Sequence, residues 1–321
     1  IFGRGWSMSR SITVAGAQLG PVARDEPRTS VIARMIDLMR EAGRRGVDLV
    51  VYPELALTTF FPRWLLDDAE IHTFFETEMP SDETRPLFEE AARVGVAFHL
   101  GYAELARESG EAHRYNAAIL VDKGGAIVGK YRKIHLPGHT EPEPARKFQH
   151  LEKRYFEVGN LGFPVWETLG GRVGMLICND RRWPEAFRVL GLQGVELVLI
   201  GYNTPTLNGQ VFEQPHRRAF HNHLSMQAGA YQNATWVVGV AKAGREEGVD
   251  MLGGSAIISP NGEIVAQSRS VDDELIVAAC DLDDGNYLKS STFNFAAHRR
   301  IEHYGLILES TGVVPPRGSA T

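Results

Sequence analysis

Three side chains with complementary chemistry stand at the ends of apolar, strand-like runs: Glu54 in "LVVYPEL", Lys133 in "IVGKYRK" and Cys178 in "RVGMLICND". Strand ends are where α/β folds place reactive groups, because a rigid sheet delivers them into a crevice. Taken singly, each has an ordinary explanation. A charge at a strand end is commonly a solvated terminus, and a single cysteine is commonly an inert core residue. Taken together they offer a thiol, a carboxylate that can accept its proton, and an ammonium that can stabilise an oxyanion, which is the equipment of nucleophilic catalysis. In "CNDRRWPEAFR" a turn joins strand to helix, with Pro184 suited to the first helical turn. A thiol there is expected to meet backbone N–H groups and the positive end of a helix, lowering its pKa. Arg181 and Arg182 oppose that helix dipole, so a carboxylate ligand is expected to explain them.

Other candidate chemistry is weaker. His135-x-x-x-His139 and His221-Asn-His223 lack the third ligand and the H-E-x-x-H pattern of a zinc site. The two cysteines, Cys178 and Cys280, lie 102 residues apart and give neither metal spacing nor a redox pair. No metal and no cofactor are therefore expected. Cys280 in "LIVAACDLDD" reads as a buried strand thiol, and free thiols suggest a reducing, cytoplasmic setting. The aromatics of "TTFFPRW", Phe60, Phe61 and Trp64, either line a pocket or pack in the core. With 34 basic and 40 acidic residues the net charge is −6, so nucleic acid and anionic membrane are poor partners. Apolar runs stay far below the roughly 20 residues of a membrane helix.

The elements that must position these groups come in two similar sets. Ile12–Gln18, Val47–Tyr52 and Val96–Glu104 read as strands. Between them lie a helical stripe, Val31, Met35, Leu38, Met39 and Ala42, ended by Gly46, and a helix from Leu87 to Val94. A hairpin follows, from Ala117 to Asp122 and from Ile127 to Lys133. The second set has strands Arg172–Cys178, Val195–Tyr202 and Thr235–Lys242, helices Pro184–Gln193 and His216–Tyr231, and a further hairpin. "GVDLVVYPEL" is similar to "GVELVLIGYN" at an offset of 148, and "AAILVDKGGAIVGK" to "GSAIISPNGEIVAQ" at an offset of 137. The expected fold is one four-layer α-β-β-α sandwich of two pseudo-symmetric halves. A doubly wound nucleotide fold would need a glycine-rich turn after the first strand, and "AGAQLGPVARD" has none. Residues 1–7 precede Met8 and read as an expression remnant, residues 8–309 as a single domain, and residues 310–321 as a flexible tail. Long connections at His135–Pro164 and Asn203–Pro215 are candidate functional loops.

The motifs "YPELALTTFFPRW", "GKYRKIHLPGH", "FQHLEKRYFE" and "GMLICNDRRWPEA" resemble those of the nitrilase superfamily of carbon-nitrogen hydrolases. "CNDRRWPE", "GYNTPT" and "HRRIEHYG" are most similar to its N-carbamoyl-D-amino-acid amidohydrolase branch, and the likeness runs from about Met8 to about Leu308. The resemblance implies Cys178 as nucleophile, Glu54 as general base and Lys133 as the group that stabilises the tetrahedral intermediate. It implies that Glu152 holds the lysine, although a loop salt bridge with Lys153 or Arg154 is the alternative for that residue. Arg181 and Arg182 would bind a substrate carboxylate, with Asn179, Asn203, Thr204 and His150 completing the substrate site. The small-molecule partner would be an N-carbamoyl-D-amino acid, and the assembly a homodimer or homotetramer.

Overall fold

The computed structural model describes residues 10–146, 148–207 and 214–315. The expression-remnant reading of residues 1–7, part of the second long loop and the end of the tail lie outside the described residues. The first half runs β1 (Ser11–Gln18), α1 (Arg28–Arg44), β2 (Leu49–Val51), α2 (Asp68–His72), α3 (Arg85–Val94), β3 (Ala97–Glu108), β4 (Glu111–Val121), β5 (Ile127–Arg132) and α4 (Glu152–Tyr155). The second runs β6 (Val165–Thr168), β7 (Gly171–Ile177), α5 (Pro184–Leu192), β8 (Leu197–Tyr202), α6 (Pro215–Asn233), β9 (Trp236–Ala241), β10 (Ala243–Glu246), β11 (Val249–Leu252), β12 (Ala256–Ile258) and β13 (Ile264–Gln267). A last strand, β14 (Glu274–Asp281), follows.

Helix α1 shows why the pattern was readable. Val31, Met35, Leu38, Met39 and Ala42 fall on one face and are buried, each large one contributing about 1.5–3 kcal/mol by leaving water. Gly46, at φ 68°, ends the helix in the left-handed region, where its N–H reaches the Gly43 carbonyl and that of Val47 reaches Ala42.

Two six-stranded sheets form, ordered β14-β1-β2-β3-β4-β5 and β13-β12-β9-β8-β7-β6. Read from β14 and from β6, both have the same directions: one antiparallel pairing, two parallel, two antiparallel. The correspondence reaches single bonds. Asp48 accepts the Thr13 N–H at 2.9 Å, and Glu196, 148 residues later, accepts that of Arg172 at 2.9 Å. Ile12, Val14, Leu49 and Val51 of one sheet share a core with Met175, Leu197, Leu199 and Val240 of the other. Helices α1 and α3 cover the outer face of the first sheet, and α5 and α6 that of the second. This is the expected α-β-β-α sandwich. Among the described residues no helix is long and apolar enough to cross a membrane.

Some boundaries differ from the sequence expectation. β2 keeps three residues of the expected six, losing Val47 and Asp48 at its start and Tyr52 at its end, beyond which Leu55 turns to φ 45°. β3 runs four residues beyond Glu104. That extension, residues 105–108, pairs with the mostly polar start of β4, where apolar alternation gives no signal. The edge strand β14 was legible only as the apolar run around Cys280; its partner, β1, is at the other end of the chain.

One core residue gives stability a pH dependence. His99 on β3 is fully buried, its Nδ1 3.1 Å from the Tyr52 carbonyl, and burial pushes its pKa down to about 4. Below about pH 6.5 the unfolded chain takes up a proton that the folded chain refuses, so this contribution is complete above 6.5 and is lost as pH falls toward 4. Urea titrations at pH 7 and pH 4.5 are expected to show a loss of about 2–3 kcal/mol that shrinks in His99→Asn. An identical loss in both proteins would refute this role.

Candidate active site

Glu54 lies between the sheets, and two glycines make the space. A Cβ on Gly101 of β3 would fall 2.5 Å from the Pro53 carbonyl oxygen, and one on Gly201 of β8 would fall 2.4 Å from the Glu54 nitrogen. The Glu54 carboxylate is buried and held by three donors. Oε1 accepts from Lys133 Nζ at 2.7 Å and from Asn116 Nδ2 at 2.8 Å, and Oε2 accepts from the Asn203 N–H at 2.9 Å. Lys133 follows β5 and is fixed by its own N–H to the Asn116 carbonyl at 2.8 Å. Its Nζ also donates to Glu152 Oε2 at 2.6 Å, and His150 Nε2 stands 3.1 Å from Glu152 Oε1. The fully buried Glu152 thus reaches Lys133; Lys153 and Arg154 are not its ion-pair partners.

Cys178 ends β7 at φ 47°, a left-handed conformation that a non-glycine residue adopts at a cost of order 1–3 kcal/mol. The turn is held by Asp180, a buried carboxylate that accepts from the Ile177 N–H at 3.0 Å, Tyr131 Oη at 2.8 Å and the His135 N–H at 2.9 Å. Cys178 Sγ faces the Asn203 carbonyl at 3.7 Å, while the Asn203 side chain donates to the Glu54 carbonyl at 2.8 Å. Asn203 therefore joins the cysteine to the glutamate.

Electrostatics correct one expectation. The thiol is pushed up, not down, from its ordinary value: burial is the main cause and Glu54 the next, with Lys133 and Arg181 opposing them. α5 starts only at Pro184, six residues on, so its dipole does not offset the loss of solvent. A thiol held protonated needs a base to become a nucleophile, and the carboxylate whose charge it feels is that of Glu54. Burial alone would lower Lys133, but Glu152 and Glu54 more than reverse this and keep it an ammonium. Burial alone would raise Glu152, but Lys133 and His150 together more than reverse this and hold that carboxyl below its ordinary range.

Cys178, Asn179, Arg182, Asn203, Thr204 and His150 line one cavity of about 510 Å³, together with His139, Arg146 and Arg218. Arg181 does not. Its guanidinium turns inward to Asn222 Oδ1 at 2.7 Å, Thr204 Oγ1 at 3.0 Å and the Cys178 carbonyl at 2.5 Å, over the Tyr202 ring. The carboxylate-binding expectation for Arg181 is thereby corrected to an internal brace of the Cys178 turn, since hydrogen bonds already occupy its fork. Of the "TTFFPRW" aromatics, Phe61 stacks on Phe74 in the core, whereas Phe60 lines a neighbouring chamber. Among the described residues no three His, Cys, Asp or Glu side chains are grouped to hold a metal ion. Sequence reasoning missed Asn116, Tyr131 and Asp180. Asp180 sits inside the quoted motif, but nothing local marks it as the acceptor of three donors.

Residues 13–289 match the carbon-nitrogen hydrolase family. A nitrilase of Pyrococcus abyssi is 29% identical over 84% of this chain and 90% of its own. An N-carbamoylputrescine amidase of Solanum lycopersicum is 29% identical over 96% of this chain and 98% of its own. Among solved structures, a carbon-nitrogen hydrolase from Helicobacter pylori superposes with a TM-score of 0.80 at 24% identity, covering 93% of this chain and 99% of that one, a likeness of fold. With the family matched across most of its length and the sandwich in place, the chain belongs to the carbon-nitrogen hydrolases of the nitrilase superfamily and is a hydrolase of carbon–nitrogen bonds.

Proposed function

We propose that the protein hydrolyses N-carbamoyl-D-amino acids to the D-amino acid, carbon dioxide and ammonia. Glu54 takes the Cys178 proton as sulfur attacks the carbamoyl carbon, and Lys133 stabilises the oxyanion. The departing nitrogen recovers the proton from Glu54 as its C–N bond breaks. Water, deprotonated by the same carboxylate, then cleaves the thioester, so one water is consumed for each amine, ammonia and carbon dioxide released. Glu152 keeps Lys133 aimed and charged.

The observation that carries the substrate class is Arg182 in the same cavity as Cys178. A guanidinium suits the carboxylate of an N-carbamoyl amino acid and opposes the ammonium of N-carbamoylputrescine. The D-series reading is supported by the resemblance of "CNDRRWPE" and "GYNTPT" to that branch. The homo-oligomer reading is supported by apolar side chains left exposed on α5 and α6, among them Leu192, Phe220 and Leu224.

The test is turnover on both enantiomers of N-carbamoyl amino acids, N-carbamoylputrescine, simple amides and nitriles. Preference for the L-series, or for a substrate without a carboxylate, overturns the reading. Arg182→Ala is expected to raise KM for carboxylate substrates roughly 10- to 100-fold and to leave a neutral carbamoyl analogue nearly unchanged. Equal changes on both would exclude carboxylate recognition by Arg182.

A further inference from the structure

A second set of buried charges, unused in the reaction above, lies beside the site. Arg63, Lys242 and Glu246 are each 4% exposed or less. Glu246 Oε1 accepts from the Phe60 N–H at 2.8 Å and from Arg63 Nη2 at 2.7 Å. Its Oε2 accepts from the Val22 N–H at 3.1 Å and from Lys242 Nζ at 3.2 Å. Lys242 also donates to the Thr58 carbonyl, and Arg63 Nε to that of Phe60 at 3.0 Å. One carboxylate therefore ties the Thr58–Arg63 turn to the β10–β11 ribbon.

Those two segments line a mainly apolar chamber of about 310 Å³, with Phe60 and Arg63 from the turn, Val249 and Met251 from the ribbon, and Arg146 and Gln149 among its polar members. The chamber adjoins the Cys178 cavity, and Arg146, His150, Asn203 and Pro205 line both. His150 packs edge-on against Phe60 with ring centroids 5.9 Å apart. An apolar cavity of roughly 150 Å³ already accommodates benzene, so this chamber has room for a benzyl-sized group.

We infer that Glu246 is a positioning residue for specificity: by fixing both walls of the apolar chamber, it sets which substituent beside the scissile carbon is accepted. Identifying that substituent as the amino-acid side chain rests on the carbamoyl amino acid reading; the positioning role does not. Freed of Glu246, the turn and the ribbon lose their common anchor, the chamber loosens, and discrimination by size and polarity declines while the reacting groups stay in place.

The test reads discrimination at Cys178 without requiring turnover. Alkylation by iodoacetamide and by 2-iodo-N-benzylacetamide is followed by intact mass, each rate divided by that of free glutathione, with Cys178→Ala as the control for site. The native protein is expected to favour the benzyl reagent about tenfold or more, and Glu246→Gln to bring that ratio near one. A general folding defect would also bring the ratio to one, because an exposed Cys178 reacts like a free thiol, so the ratio is read only on variants whose cooperative melting transition shows them folded. Because Glu246→Gln strands two buried cations, Glu246→Asp, which keeps the charge but shortens the reach, is measured beside it and is expected to lose about threefold. A native ratio near one, or a native-like ratio in the folded variants, overturns the inference. Hydrolysis of N-carbamoyl-D-phenylalanine and N-carbamoylglycine is measured on the same proteins. No turnover of either by the native protein, with the alkylation ratio behaving as expected, overturns the carbamoyl reading and upholds the positioning role.

Discussion

Turnover by Cys178→Ala is expected to fall by at least about 10⁴-fold, whereas Cys280→Ala is expected to retain native kcat and KM. The contrast follows from where each sulfur lies. Cys178 opens into the cavity beside a carboxylate, a lysine and Asn203. Cys280 is fully buried on β14, and burial pushes its thiol up to about 12. A thiolate at Cys280 is therefore rare at any physiological pH. The measurement is steady-state kinetics on both variants, with intact mass after iodoacetamide treatment to show which thiol reacts. Retained turnover in Cys178→Ala would end the covalent mechanism. Loss in Cys280→Ala, with its melting temperature unchanged, would mean that the second thiol has been misread.

Gly201→Ala is expected to reduce kcat/KM by about 10²-fold or more, although the side chain added is a single methyl with no charge. The new Cβ would stand 2.4 Å from the Glu54 nitrogen and 2.6 Å from the Pro53 carbonyl carbon. Both are backbone atoms and cannot rotate away, so either β8 retreats or the Pro53–Glu54 segment is pushed off its position. Glu54 cannot move alone, since its oxygens are bonded to Lys133, Asn116 and Asn203. An overpacked core commonly costs about 1–3 kcal/mol, so the melting temperature falls as well. Comparing kcat/KM at a temperature where both proteins are fully folded separates the two effects. Native activity under those conditions would show that the sheets yield without disturbing Glu54.

How much of this could be read from the chain depended on what kind of signal each feature left. The α1 stripe, the β2 and β8 repeats, and Glu54, Lys133 and Cys178 at strand ends are periodic or positional signals. The fold preserves them because it buries whichever face is apolar. Arg182 and Arg181 are neighbours in sequence, and one sequence could not divide their work: Cys178, Thr204 and Asn222 claim Arg181 only after β7, β8 and α6 have come together. The direction of the Cys178 shift was misread because the turn was visible but the burial around it was not. Asn116 and Asp180 left no signal, because their importance consists of partners distant along the chain.

The pairing of β14 with β1 also governs the order in which the molecule can be made. Ser11–Gln18 bonds to Asp281–Glu274 along its whole length, so the first sheet has no outer neighbour for β1 until residue 274 has been synthesised. On the ribosome, the N-terminal half waits with an open, apolar strand edge, the kind of edge that recruits other chains. The second half has no such delay, because its corresponding edge strand, β6, immediately precedes β7. Closing the first sheet thus waits for β14, which follows every other strand of the sandwich.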